Sequence, residues 1–260
     1  MSSTRLFNII SLAFFLGVST LCASTSYVGD PSGLYANDSV NWSQLGPDGT
    51  VVIMPFSAIS SNNMAVGVSG PFVSYASVSV VCAGSSPSPG CSWTPPYPGK
   101  FNAGDSLLQT NAGFAGPGSG PLTFCFDPSA GIACTGATHG IFGAGAYIQP
   151  YAFGPFTAQI QAYDGSTLLL TEDVNSDSNG SPVFLGAFDP NGDITSEVFS
   201  LTAITPDPYG DDVNNFAVDS VSFSTATPEP ATLFPVLLSM GLLVLGSRTG
   251  LIRKFAKKTL

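Results

Sequence analysis

Apolar residues follow three regimes along the 260-residue chain. They dominate from Leu6 to Leu21 with interruptions at Asn8 and Ser11, alternate with polar residues through the middle, and dominate again in the uncharged segment from Ala231 to Ser247. Alternation at a period of two is the signature of a strand with distinct faces. "FTAQIQAYDG" (Phe156–Gly165) sets Phe156, Ala158, Ile160 and Ala162 against Thr157, Gln159, Gln161 and Tyr163. "FVSYASVSVVC" (Phe72–Cys82) sets Val73, Tyr75, Ser77, Ser79 and Val81 against Phe72, Ser74, Ala76, Val78, Val80 and Cys82. Each pattern predicts a strand with one buried and one wet face. Further strands are predicted at Val51–Ile59, Leu122–Phe126, Tyr147–Pro150, Thr167–Glu172, Val183–Phe188, Ile194–Ala203 and Phe216–Ser224. Turn signals Asp164-Gly165, Asn179-Gly180 and Asn191-Gly192 separate them. Many short strands joined this way predict an all-β antiparallel β-sandwich, with a jelly roll as the specific form.

Composition supports that class. Gly (29) and Pro (21) would break long helices repeatedly, and 19 Phe sit among β-branched residues. Segments 85–99 and 111–121, rich in Pro, Gly and Ser, are expected to be surface loops. About 200 residues remain between the termini, enough for one domain with its own core.

The two apolar ends differ in kind. Residues 1–24 read as a secretory signal peptide: Arg5, the apolar run, then small residues around Cys22–Ser26 that offer several cleavage points. Cys22 follows Leu21 rather than a small residue, which argues against lipidation. The segment 231–247 carries no charge, and as a helix it would span about 26 Å, close to a hydrocarbon core. Pro235 falls in its first turn or so, where a missing N–H is harmless. Arg248, Arg253, Lys254, Lys257 and Lys258 follow in the basic tail 248–260 and would hold that end in the cytoplasm. The expected organisation is therefore a leader (1–24), a body (25–226) and a C-terminal segment (227–260).

Charge is sorted just as strictly. Of the 17 acidic residues only Glu229 lies outside the body, and Lys100 is the body's one cation, so the body carries 16 acids, one base and a net charge of −15. Such a surface repels nucleic acid and anionic lipid. Beyond Cys22 the cysteines form two sets, Cys82/Cys91 and Cys125/Cys134, each enclosing eight residues rich in turn formers. Four cysteines allow three connectivities. Local pairing is expected, because each loop brings its own ends together, and closing ten residues stabilises the fold by about 2.7 kcal/mol on chain entropy. The spacing matches no zinc finger.

Catalytic chemistry finds few candidates. His139 is the single histidine and no G-x-S-x-G elbow accompanies it. "GIFGAG" (Gly140–Gly145) lacks the strand-to-helix setting of a phosphate loop, and the acids occur mostly in turns beside Gly, Pro or Asn. The expectation is a protein that is not an enzyme. Two oxygen-rich loops, "DVNSDSNG" (Asp173–Gly180) and "DPNGD" (Asp189–Asp193), are candidates for a hard cation, with Asp189, Asn191 and Asp193 as a calcium set; tight-turn chemistry is the competing reading. Neither loop is an EF-hand. Aromatic residues in the loops, Trp93, Tyr97, Phe101, Phe114 and Tyr209, are candidates for stacking on sugar rings, with core packing the alternative.

Pro228-Glu229-Pro230, an apolar helix and a basic terminus together resemble the PEP-CTERM sorting signal of Gram-negative bacteria, also known as an ice-binding-protein C-terminal domain. The resemblance implies an exosortase, an integral-membrane cysteine protease, as partner, and cleavage near the tripeptide. The tail after Arg248 is longer than that signal's usual few basic residues. The body is similar to a group of exported PEP-CTERM proteins through "LGPDGTVV", "FNAGDSLLQT", "GPLTF", "GAYIQPYAFGPFTAQIQAYDG", "SPVFLGAFD" and "NFAVDSVSF". That likeness implies a galactose-binding or jelly-roll sandwich and no particular reaction. The expectation overall is an exported surface or extracellular-matrix protein, held at the inner membrane by the 231–247 helix as a precursor. The alternative is a secreted carbohydrate-binding module, with or without calcium, whose partner is an extracellular polysaccharide.

Overall fold

The computed structural model describes residues 24–70, 77–84, 91–93, 101–110, 118–132, 134–152, 154–205 and 213–226. The leader through residue 23, the Pro228-Glu229-Pro230 motif, the 231–247 segment and the basic tail lie outside the described residues. The strands are β1 (Ser26–Val28), β2 (Asp38–Val40), β3 (Thr50–Ile53), β4 (Phe56–Ile59), β5 (Ala65–Ser69), β6 (Ser77–Cys82), β7 (Ser106–Gln109), β8 (Leu122–Cys125), β9 (Gly143–Pro150), β10 (Phe156–Asp164), β11 (Thr167–Asn175), β12 (Val183–Phe188), β13 (Ser196–Ile204), β14 (Phe216–Val218) and β15 (Val221–Ser224). Three short 3₁₀ turns accompany them, and no helix of the described residues is long and apolar enough to cross a membrane.

The clearest alternation produces the most regular element. In β10 Phe156, Ala158, Ile160 and Ala162 are buried, while Thr157, Gln159, Gln161 and Tyr163 are half-buried on the other face. Its hairpin to β11 turns at Gly165-Ser166, with Gly165 at φ 54°, and β13 pairs along its other edge. All strand pairing is antiparallel. One sheet has the order β11-β10-β13-β8-β5-β4; the other runs β1-β12-β9-β14-β7-β6-β3, with β15 bridging β9 and β2. The two sheets share one core: Val78, Leu108, Ile148, Leu185, Phe216 and Phe223 from one meet Val66, Phe124, Ile160, Phe199 and Leu201 from the other.

Two expected strands are divided, and a third departs from its expected burial. Val51–Ile59 breaks into β3 and β4 at Met54-Pro55, because proline lacks the N–H a ladder needs, and the chain changes sheet there. Phe216–Ser224 breaks at Asp219-Ser220, so that β14 and β15 pair with successive halves of β9. Of Phe72–Cys82, strand is described from Ser77, and both faces are buried: Ser79 and Val81 are nearly as covered as Val78 and Val80. On the outer face of β9, Gly145 and its partner Gly186 on β12 lie under the Phe184 ring; a Cβ at Gly145 would meet that ring at 2.7 Å.

Candidate functional site

The cysteines pair locally, Cys82 with Cys91 and Cys125 with Cys134. Each disulfide organises a loop around an aspartate, and the two loops do different things.

In the first, Asp48 Oδ1 accepts from the backbone N–H of Cys82 (2.6 Å) and from the hydroxyl of Ser92 (2.6 Å), clamping the ends of the loop to β6. Trp93 then bridges in parallel to Ala83 and turns its ring onto the outside of the β9-containing sheet. It is 1% exposed and packs with Val81, Ala83, Leu107 and Ala217, edge-on to Tyr151 (5.2 Å between centroids) and Phe101 (6.3 Å). A small second core results, which is why β6 is buried on both faces. Trp93 is thus withdrawn from any sugar-stacking surface, while Tyr97, Phe114 and Tyr209 lie outside the described residues.

In the second, Asp127 caps the 3₁₀ turn Pro128–Ala130 by accepting from Ser129 N (2.8 Å) and reaches forward to Thr138 N (2.8 Å) and His139 N (3.0 Å). Burial raises its carboxyl, but hydrogen bonds from Ser129, Thr138 and His139 outweigh that and hold it well below the usual carboxylate range. His139 Nδ1 lies 3.6 Å from Asp127 Oδ2 and 3.2 Å from Thr138 Oγ1. The sequence pattern missed this juxtaposition, in which a histidine, a carboxylate and hydroxyls meet. Its geometry differs from a nucleophilic relay, however. Carboxylate and hydroxyl sit on the same ring nitrogen, Ser129 Oγ donates to the aspartate rather than to the ring, and the His139 side chain is 79% exposed. The arrangement closes a loop.

The structure gathers the calcium candidates Asp189, Asn191 and Asp193 into one turn. Asp189 is 2% exposed; its Oδ1 accepts from Asn191 N (3.0 Å) and Asn191 Nδ2 (3.1 Å), its Oδ2 from Asp193 N (3.2 Å). Gly192 supplies the left-handed position at φ 78°. Burial, then Asp189 and Asp164, push the Asp193 carboxyl upward. A cation here would have to compete with three N–H donors for Asp189. The other loop is built alike, Asp177 Oδ1 accepting from Asn179 N and Ser181 N. Among the described residues no group of three or more His, Cys, Asp or Glu side chains is gathered closely enough to hold a metal ion.

Asp38 and Asp219 are perturbed as well. Asp38 on β2 is 5% exposed, and burial there is outweighed by donors from Ser60, Ser61, Asn62 and Ser39, which hold its carboxyl low. Asp219, at the break between β14 and β15, is pushed up to about 6 by burial, with Asp105 adding to the rise and Ser220 N opposing it.

No family model matches the chain, and no curated protein sequence matches it. Among solved structures it is similar to the crystal structure of a DUF4465 family protein from Bacteroides caccae, with 10% identity and a TM-score of 0.34 over 79% of this chain and 96% of that one. A likeness of that size transfers neither fold nor function.

Proposed function

We propose that the chain is an exported, non-enzymatic surface or extracellular-matrix protein, delivered as a membrane-anchored precursor and cut by an exosortase-type protease near Pro228-Glu229-Pro230. The observation that carries this reading is the pair of local disulfides in an all-β body, which suits an oxidising, extracytoplasmic compartment. The sequence supplies the rest: a leader, the Pro-Glu-Pro tripeptide, an uncharged span at 231–247, and the five cations after it that fix orientation. Successive strands cross repeatedly between the two sheets, as from β3 to β4, β5 to β6, β7 to β8 and β9 to β10. That shuttling supports reading the body as jelly-roll or galactose-binding-like. The polar networks around Asp127 and Asp189 support a structural rather than catalytic role, since each carboxylate is spent on backbone N–H groups.

A carbohydrate-binding role is favoured by one observation. The outer face of β10 and β11 presents hydroxyls and amides, including Thr157, Gln159, Gln161, Thr171 and Asn175, with Asp173 its acid. Replacing Pro228-Glu229-Pro230 by alanines in the native host tests the sorting reading: the variant should accumulate in the membrane fraction as a longer form than the wild type. Equal length and location for both would reject it. A glycan array on the intact protein decides the carbohydrate alternative.

A further inference from the structure

On β13 the buried positions Glu197, Phe199 and Leu201 point between the sheets, so an acid occupies a core position. Glu197 is 0% exposed. Its cross-strand neighbours are Ala162 on β10 and Phe124 on β8. Its carboxyl reaches the opposite sheet beside Ala144 of β9 and Ala187 of β12, which are register partners. Three alanines around a glutamate leave room for its length. They offer no side-chain partner. Neither carboxyl oxygen has a hydrogen-bond partner among the described residues.

An uncompensated carboxylate in such surroundings costs far more than a neutral acid, so the group is kept only in its protonated form. Among the described residues of the strands packed against it, no charged side chain faces it. The ionisable groups on the packing strands are Tyr147 of β9 and Tyr163 and Asp164 of β10; β8 and β12 carry none apart from the disulfide-bonded Cys125. Tyr147 alternates with the inward Ala146 and Ile148, Tyr163 bonds to Gln161 on the outer face, and Asp164 ends its strand exposed.

We propose that Glu197 is a pH-sensing device built into the core, a buried neutral acid whose ionisation forces the two sheets apart, so that the body loosens as its surroundings turn alkaline. Burial raises its carboxyl well above the ordinary range; the backbone N–H groups of Ala144 and Ala187 lie nearby but outside hydrogen-bonding geometry, and they offset the rise only in part. The sign follows. The group favours the folded state fully below the unfolded-state value, about 4.3, and that contribution is lost as pH rises toward the folded-state value. Within that window unfolding releases one proton, and the unfolding constant rises tenfold per pH unit on this account alone. The device acts in the folded body whichever way the termini are processed.

The test is urea unfolding of the full chain in mild detergent from pH 5 to 9, comparing wild type with E197Q and with D219N as the control for the other raised carboxyl. The unfolding constant of the wild type should climb tenfold per pH unit more steeply than that of E197Q, and D219N should keep the climb above pH 7. Carbon-13 labelling of the three glutamates, Glu172, Glu197 and Glu229, gives a second readout that needs no variant to fold. One carboxyl signal should stay protonated well above the ordinary carboxylate range. Equal slopes for wild type and E197Q, or no glutamate carboxyl signal that stays protonated above that range, would overturn the proposal.

Discussion

Truncating Trp93 to alanine tests whether the Cys82–Cys91 loop is a structural clamp rather than a free surface loop. The ring is 1% exposed and seals Val81, Leu107 and Ala217, so its loss should cost about 3–5 kcal/mol, as for other buried aromatics. The indole N–H contributes little of this, because its contact with Gln149 Oε1 is long at 3.5 Å. Removing the disulfide as C82A/C91A should cost about 2.7 kcal/mol on loop entropy. The disulfide holds the segment from which Trp93 projects, so the two losses should overlap: the triple variant should fall short of their sum by about 0.5–3 kcal/mol. Urea unfolding under non-reducing conditions, with Cys125–Cys134 intact in all four proteins, measures each corner of the cycle. A Trp93→Ala cost below about 1 kcal/mol, or strict additivity, would refute the reasoning.

Three further outcomes follow from the turns and the perturbed carboxylates. Asp189→Ala strands the N–H groups of Asn191 and Asp193, and should lower stability by about 1–3 kcal/mol to the same extent in millimolar calcium and in chelator; a loss seen only with calcium present would restore a cation site. Asp127 and Asp38 are held low, so their stabilisation is present above the usual carboxylate value of about 3.9 and lost as pH falls below it. D127N should therefore flatten the decline in Tm between pH 5 and 2, whereas an unchanged decline would assign acid lability elsewhere. Asp219, raised to about 6, should contribute stability below pH 4 that is lost as pH rises through 6, and D219N should remove that slope in thermal melts between pH 4 and 7.

How far the fold could be read from the chain depended on whether a strand showed alternation or a bounded apolar run. β10 alternates, β12 is an apolar run buried on both faces, and both stand within a residue of the expected bounds. The start of β9 carries no such pattern: Gly143-Ala144-Gly145-Ala146 is buried on both sides, with Gly143 against Phe188, Gly145 under Phe184 and the alanines facing the core, so alternation is lost in small residues. β1, β2, β5 and β7 are three to five residues long, too short for periodicity to stand out. On the outer face of Ser77–Cys82 only Val81 stands out as apolar beside Ser77 and Ser79, a weak sign that something covers that side, and the cover, Trp93, sits in what composition alone marks as a surface loop. One local signal was legible and easily passed over: Asp-Pro-Ser occurs at Asp30-Pro31-Ser32 and Asp127-Pro128-Ser129, and both open a capped 3₁₀ turn. The approach of His139 to Asp127 depends on the chain closing over itself through the Cys125–Cys134 loop, and no spacing rule encodes it.

The sorting account is tested most directly by the intact mass of the protein recovered from its native host. The account predicts a species that has lost the leader and the segment beyond the Pro228-Glu229-Pro230 region, and that lacks the four thiol hydrogens of Cys82, Cys91, Cys125 and Cys134. A mature protein that retains residues 231–260, or carries free thiols at those positions, would contradict it.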